Sequence, residues 1–260
     1  MIFSGLVSVT FRQLAVEEII LLVVKAGLRG IEWGGDIHVP HGDTKKAASV
    51  KLMMADAGLG TVEYGSYYRA GHPEDLGFDC VLDTALALGA PAVRVWAGKT
   101  PSAQADEAYR CRVMEDACRI HLLAEKHGIG IHFEYHAGTL TDTMESTIQL
   151  IDSIPYPNVY TLWQPPAGSR VQDNIKAIQM LSSRLSHMHV FSWELPPTGG
   201  IQRLPLDVHR ECWLTYLSAL KALPGDHFAL LEFVANDDPE QFMQDAATLQ
   251  GLINDLPLNT

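Results

Sequence analysis

Apolar and polar positions along this chain follow two alternating periods. Short apolar runs at Ile2–Val9, Gly30–Trp33, Gly60–Tyr64, Ala92–Trp96, Gly130–Glu134, Val159–Trp163, Leu185–Phe191 and Phe228–Val234 have the length of buried strands. The segments between them carry apolar residues at helical spacing, as in VEEIILLVVKAG (Val16–Gly27) and EAYRCRVMEDACRIHLLAEKHG (Glu107–Gly128). Gly27, Gly58 and Gly128 stand where a left-handed residue closes a helix. Eight strand–helix units in 260 residues predict an α/β protein, a single (β/α)8 TIM barrel with a parallel sheet. No Pro- or Ser-rich linker divides the chain, so residues 1–260 are expected to form one domain.

In such a barrel the loops after the strands converge on one mouth, so polar residues are best read strand by strand. Strand two leads into Asp36, His38 and His41; strand three into Tyr67, Tyr68, Arg69 and His72; strand four offers Arg94 and Trp96. Strand five gives Glu134 and His136, strand six Trp163 and Gln164, strand seven His187, His189, Ser192 and Trp193, and strand eight Glu232. A carboxylate at the end of an apolar strand is costly unless it is paired, hydrogen-bonded or metal-bound. Glu134, His189 and Glu232 together form an oxygen–nitrogen–oxygen set suited to one divalent ion, Mn2+, Mg2+ or Zn2+.

Composition narrows the field. An apolar fraction of 47% supports a core, yet no run approaches the roughly 20 residues of a membrane span, and the first residues lack a signal-peptide pattern. A cytoplasmic enzyme with no membrane partner is expected. Cys80, Cys111, Cys118 and Cys212 show no metal-finger spacing and are expected to be reduced thiols. A net charge of -12, with no basic cluster beyond Lys45–Lys46, argues against nucleic acid as a partner. Nothing in the sequence fixes the oligomeric state, and a homo-oligomer stays open.

The segments AGLRGIEW, IHFEYHAGTLTDT, HMHVFSW and LLEFV make the chain resemble the xylose isomerase-like barrel superfamily over essentially its whole length. The likeness is to its sugar phosphate isomerase/epimerase branch, with inosose dehydratases and, more distantly, endonuclease IV as relatives. The resemblance implies one divalent ion held by Glu134, His189, Glu232 and a strand-six residue, with Glu134 and Glu232 also acting as acid and base. The strand-six position falls on Gln164, where the family usually has Asp, and WQPPAG lacks the family's substrate-binding His three residues later. Gln164 offers a neutral oxygen, so the resemblance implies weaker metal binding here.

Two carboxylates flanking a sugar can deprotonate one face and reprotonate the other, while a cation holds the developing oxyanion. Substrate contacts are expected from His38, Tyr68, Arg69, Arg94, Trp96, His136, Trp193 and Arg203. The arginines suit a phosphate or carboxylate, and the indoles suit the apolar face of a sugar ring. Trp33 and Trp163 read equally as a hydrophobic plug, and His187 as structural support one layer below His189. The expected function is a metal-dependent sugar or sugar phosphate isomerase/epimerase. The alternatives are an inosose-dehydratase-like lyase, a non-catalytic carbohydrate-binding barrel and a nuclease-like relative; the last lacks the extra ligands and basic rim it would need.

Overall fold

Eight parallel strands close on themselves in the computed structural model, which describes residues 1–256. They are β1 (Ile2–Val7), β2 (Gly30–Gly34), β3 (Gly60–Arg69), β4 (Ala92–Trp96), β5 (Gly130–Glu134), β6 (Val159–Trp163), β7 (Leu185–Val190) and β8 (His227–Leu231). Each strand pairs with its sequence neighbours, and β1 closes the ring by pairing with β8, Phe3 beside Phe228 and Leu6 beside Leu231. The predicted (β/α)8 barrel is therefore the observed fold.

The outer ring consists of α1 (Val16–Lys25), α2 (Thr44–Asp56), α3 (Phe78–Leu88), α4 (Glu107–Glu125), α5 (Met144–Ser153), α6 (Val171–Met180), α7 (Arg210–Lys221) and α8 (Pro239–Asp255). Asp43, Asp106 and Thr143 cap α2, α4 and α5 by accepting from backbone N–H groups of the first turn, which satisfies donors that a helix start leaves free. Gly27, Gly58 and Gly128 sit at φ of 69°, 68° and 70°, the left-handed exit that the sequence pattern predicted. Buried apolar faces such as Ile19, Ile20 and Val23 of α1 pack onto the outside of the barrel.

Some boundaries differ from the sequence reading. β1 stops at Val7 because Ser8–Phe11 turns into a 3-10 helix, and β3 runs on to Arg69 through an irregularity between Gly65 and Arg69. β8 ends at Leu231, so Glu232 stands one residue past the strand, held by its backbone N–H on Val190 O at 2.9 Å. A short antiparallel ribbon, Trp193–Glu194 against Gln202–Arg203, leaves the barrel after β7 and was not anticipated. Among the described residues no helix is long and apolar enough to cross a membrane.

Close strand packing is demanding at Gly30, where an added Cβ would lie 2.8 Å from Gly60 O and 2.7 Å from Val62 Cγ2. Gly30→Ala is expected to lower unfolding free energy by about 1–3 kcal/mol, the usual cost of overpacking. Denaturant titration checks it, and an unchanged midpoint would show that β2 and β3 can move apart freely.

Candidate functional site

Inward-facing polar residues on neighbouring strands fill the barrel with charge. β2 contributes Glu32, β3 Glu63, β4 Arg94, β5 His132 and Glu134, and β7 His187 and His189, with Glu232 following β8. Glu32, Glu63 and His189 are wholly buried, and Arg94, Glu134 and Glu232 nearly so. Charges so deep persist only when paired.

The pairing is explicit. Arg94 lies between two carboxylates: its Nε donates to Glu32 Oε1 at 2.6 Å and its Nη1 to Glu134 Oε2. Trp96 Nε1 donates to the same Glu134 oxygen, and Gln164 Nε2 donates to Glu134 Oε1 at 3.3 Å. Below them His189 Nε2 meets Glu32 Oε2 at 2.8 Å. The other ring nitrogen, Nδ1, has no hydrogen-bond partner although it is buried. It faces Glu232 Oε2 at 3.3 Å and Glu134 Oε1 at 3.9 Å.

Burial opposes every one of these charges, yet the partners prevail. Arg94 and His189 hold the Glu32 and Glu134 carboxyls below the usual glutamate range. Glu232 and Glu32 hold the His189 imidazole well above its ordinary value. Glu63, by contrast, is pushed up by burial and by Glu32, against the pull of His132 at 2.8 Å.

Glu134, His189 and Glu232 each offer a ligand atom, and these atoms lie within 4.8 Å of one another. An unpartnered, buried imidazole nitrogen between two carboxylates is the donor arrangement a divalent ion requires, so the residues present fit such an ion. Above this cluster opens a cavity of about 540 Å3, the size of a small-molecule site. Glu134, Glu232 and Gln164 line it together with Arg12, Tyr67, Trp96, His136, Phe191, Trp193 and Phe233. Tyr67 and Phe233 adopt left-handed backbone at φ of 58° and 53°, which is uncommon for side chains of this size.

The sequence-derived substrate contacts divide into two groups. Arg94, Trp96, His136 and Trp193 reach the cavity, although Arg94 is committed to carboxylates and the Trp96 ring already stacks on His136 at 4.7 Å. The other four do not line it. His38 is buried against Ser8 Oγ and Phe11 O, and Tyr68 points outward to α4, donating to Asp116 at 2.7 Å. Arg69 lies 4.0 Å over the Trp96 ring, and Arg203 pairs with Asp237 beside Phe233. Trp33 and Trp163 are fully buried, as a plug requires. His187 accepts the Phe228 N–H at 3.1 Å in the lower part of the barrel, and burial pushes its pKa down to about 3.

Sequence reasoning missed Glu32, Glu63, His132 and Arg12. The signal for the first two was present: GIEWG and TVEYG each set a lone carboxylate in an apolar strand, the same anomaly that singled out Glu134 and Glu232. His132 lies two residues before Glu134 and so shares its face of the strand. Arg12, which pairs with Asp36 and donates to Tyr67 Oη at 3.2 Å, had no comparable signal.

Comparison with known proteins agrees with the barrel fold. A family model described as a xylose isomerase-like TIM barrel matches residues 20–251. A probable 3-DHS dehydratase, AsbF, from Bacillus anthracis is 18% identical with a TM-score of 0.77, covering 96% of this chain and 99% of that one. D-psicose 3-epimerase from Clostridium cellulolyticum, solved with D-tagatose, is 14% identical with a TM-score of 0.73, covering 98% and 100%. A Mycobacterium smegmatis barrel protein in complex with magnesium is 17% identical with a TM-score of 0.65, covering 95% and 92%. No curated protein sequence matches the chain.

The ion-pair network makes a pH-resolved prediction. Removing the cation with Arg94→Met deprives two buried carboxylates of the charge they share and should cost about 3–5 kcal/mol near neutral pH. Glu32 and Glu134 have depressed pKa values in the fold, so their stabilisation is present above the unfolded glutamate value and lost as pH falls through the folded ones. The deficit of the variant should therefore shrink below about pH 4. Urea unfolding across pH measures it, and a pH-independent deficit would contradict the pairing.

Proposed function

Because the chain belongs to the xylose isomerase-like TIM barrel family, we propose that the cavity above Glu134, His189 and Glu232 moves a proton next to the carbonyl of a sugar or sugar derivative. The observation that carries this reading is the buried His189 Nδ1, without a partner and facing two carboxylates. With one divalent ion, Mn2+, Mg2+ or Zn2+, those three residues would hold it, with Gln164 beside them. The ion would supply positive charge for the oxygen on which charge develops during proton abstraction.

The protein's own groups would do the rest. Glu232 bears no hydrogen bond from a neighbouring side chain other than its approach to His189, so its carboxylate is available to take a proton from a substrate carbon. Glu134 is differently placed, because Arg94, Trp96 and Gln164 direct N–H groups at both of its oxygens. Those donors fix its orientation and stabilise its anion. Trp96, Trp193 and Phe233 offer apolar walls that exclude water and suit the carbon face of a sugar. Epimerisation would follow if Glu134, protonated from solvent, gave a proton to the opposite face while Glu232 kept the one it removed; isomerisation would follow if Glu232 delivered its proton to the neighbouring carbon. The same asymmetry favours a second reading, a lyase in which one base acts and a neighbouring hydroxyl leaves. The likeness to a dehydratase as well as to epimerases is compatible with either outcome.

A panel of ketoses and inososes with Mn2+ in heavy water tests the proposal. Deuterium at the carbon next to the carbonyl supports isomerase/epimerase chemistry, a dehydrated absorbing product supports the lyase, and neither would count against proton transfer here. On an accepted substrate, Glu232→Gln and Glu134→Gln should each lower turnover by about 100-fold or more while retaining the fold. Near-normal turnover in both would refute the assignment of the two carboxylates. Since Glu232 and Glu32 favour the charged form of His189, metal binding there should release a proton and weaken as pH falls. Calorimetry in buffers of different ionisation enthalpy reads that release, and its absence would remove His189 from the ligand set. Gln164→Asp should tighten Mn2+ binding, because hard cations favour anionic oxygen; unchanged affinity would place residue 164 outside the coordination sphere.

A further inference from the structure

We infer that Glu32, at the inward face of β2, is the positioning residue of this centre: it selects the ring nitrogen that His189 presents and seats Arg94 against Glu134. The inference rests on the proposed metal site. Glu32 is wholly buried and divides its two oxygens between two jobs. Oε2 takes His189 Nε2 at 2.8 Å, and Oε1 takes Arg94 Nε at 2.6 Å. An imidazole whose Nε2 proton is held by a carboxylate must, when neutral, carry its lone pair on Nδ1, the atom that faces Glu134 and Glu232. Through Arg94, whose Nη1 reaches Glu134 Oε2, the same carboxylate sets the orientation of the second ligand.

The backbone leaves room for this arrangement and for little else. A Cβ on Gly65 would lie 2.6 Å from Arg94 Nη2 and 2.8 Å from Glu32 Oε1, so β3 is bare where the pair packs against it. A salt bridge serving only to neutralise Arg94 would not need the second oxygen aimed at His189. A glutamine at position 32 has one accepting oxygen, so either His189 or Arg94 must meet an N–H2 group instead of an acceptor.

The test titrates Mn2+ into metal-free wild-type protein and Glu32→Gln by calorimetry, and reads the His189 ring protons by nitrogen-15 correlation in the Zn2+-loaded forms. The wild type should carry its proton on Nε2 and bind one ion. Glu32→Gln should bind about 10–100-fold more weakly, the range seen when the partner of a ligating His is lost, and its Nε2 proton, no longer held by a carboxylate, should resonate upfield and exchange faster with solvent. Should Glu32→Gln not fold, the paired variant Glu32→Gln/Arg94→Met removes the stranded cation and should show the same loss. Wild-type affinity together with a wild-type Nε2 proton shift and exchange rate, in whichever variant folds, would overturn the role of Glu32 and leave the metal site standing. A wild type that binds no ion would overturn the metal reading, and this inference with it.

Discussion

The centre of this barrel depends on one buried cation. Arg94 is nearly inaccessible and bridges Glu32 on β2 to Glu134 on β5 across the intervening strands. Without it, carboxylates inside the barrel would repel one another in a medium that solvates them poorly. With it, Glu32 and Glu134 stay anionic, and their oxygens turn toward His189 and the cavity. A wholly apolar interior would stabilise such a fold at less electrostatic cost, so charge is concentrated where the proposed chemistry calls for it.

The same interaction divides roles among residues of similar type. Glu134 is surrounded by donors, whereas Glu232 follows the end of β8 on a backbone that turns left-handed at Phe233. Glu63 keeps one oxygen without a partner and meets His132 deeper in the barrel. The carboxylates therefore differ in environment, and in the proposed reaction the difference between Glu134 and Glu232 would decide between inversion and dehydration.

The fold was legible in the sequence because parallel strands buried on both faces read as apolar runs, and because helix exits such as Gly27 and Gly128 carry a backbone requirement that glycine meets. Glu134, His189 and Glu232 were legible as polar residues at strand ends, and the structure brings them together. Tyr68 and His38 were placed in the site because loops after strands usually line the mouth; alternation along β3 turns Tyr68 outward, and His38 folds back beneath Ser8 and Phe11. Arg94 was visible as a charge but not as a partner of Glu32, since a contact between residues 62 apart depends on the closed register of the barrel. Edge positions shifted for local reasons, as where Ser8–Phe11 tightens into a 3-10 turn and ends β1 early.

The central claim is that one ion belongs between Glu134, His189 and Glu232. A crystal grown with Mn2+ and measured for anomalous scattering tests it most directly. A single strong peak is expected about 2–2.3 Å from His189 Nδ1 and from an oxygen of each glutamate. An empty centre with Arg94 and His189 still closing on the carboxylates, or an ion bound elsewhere, would contradict it.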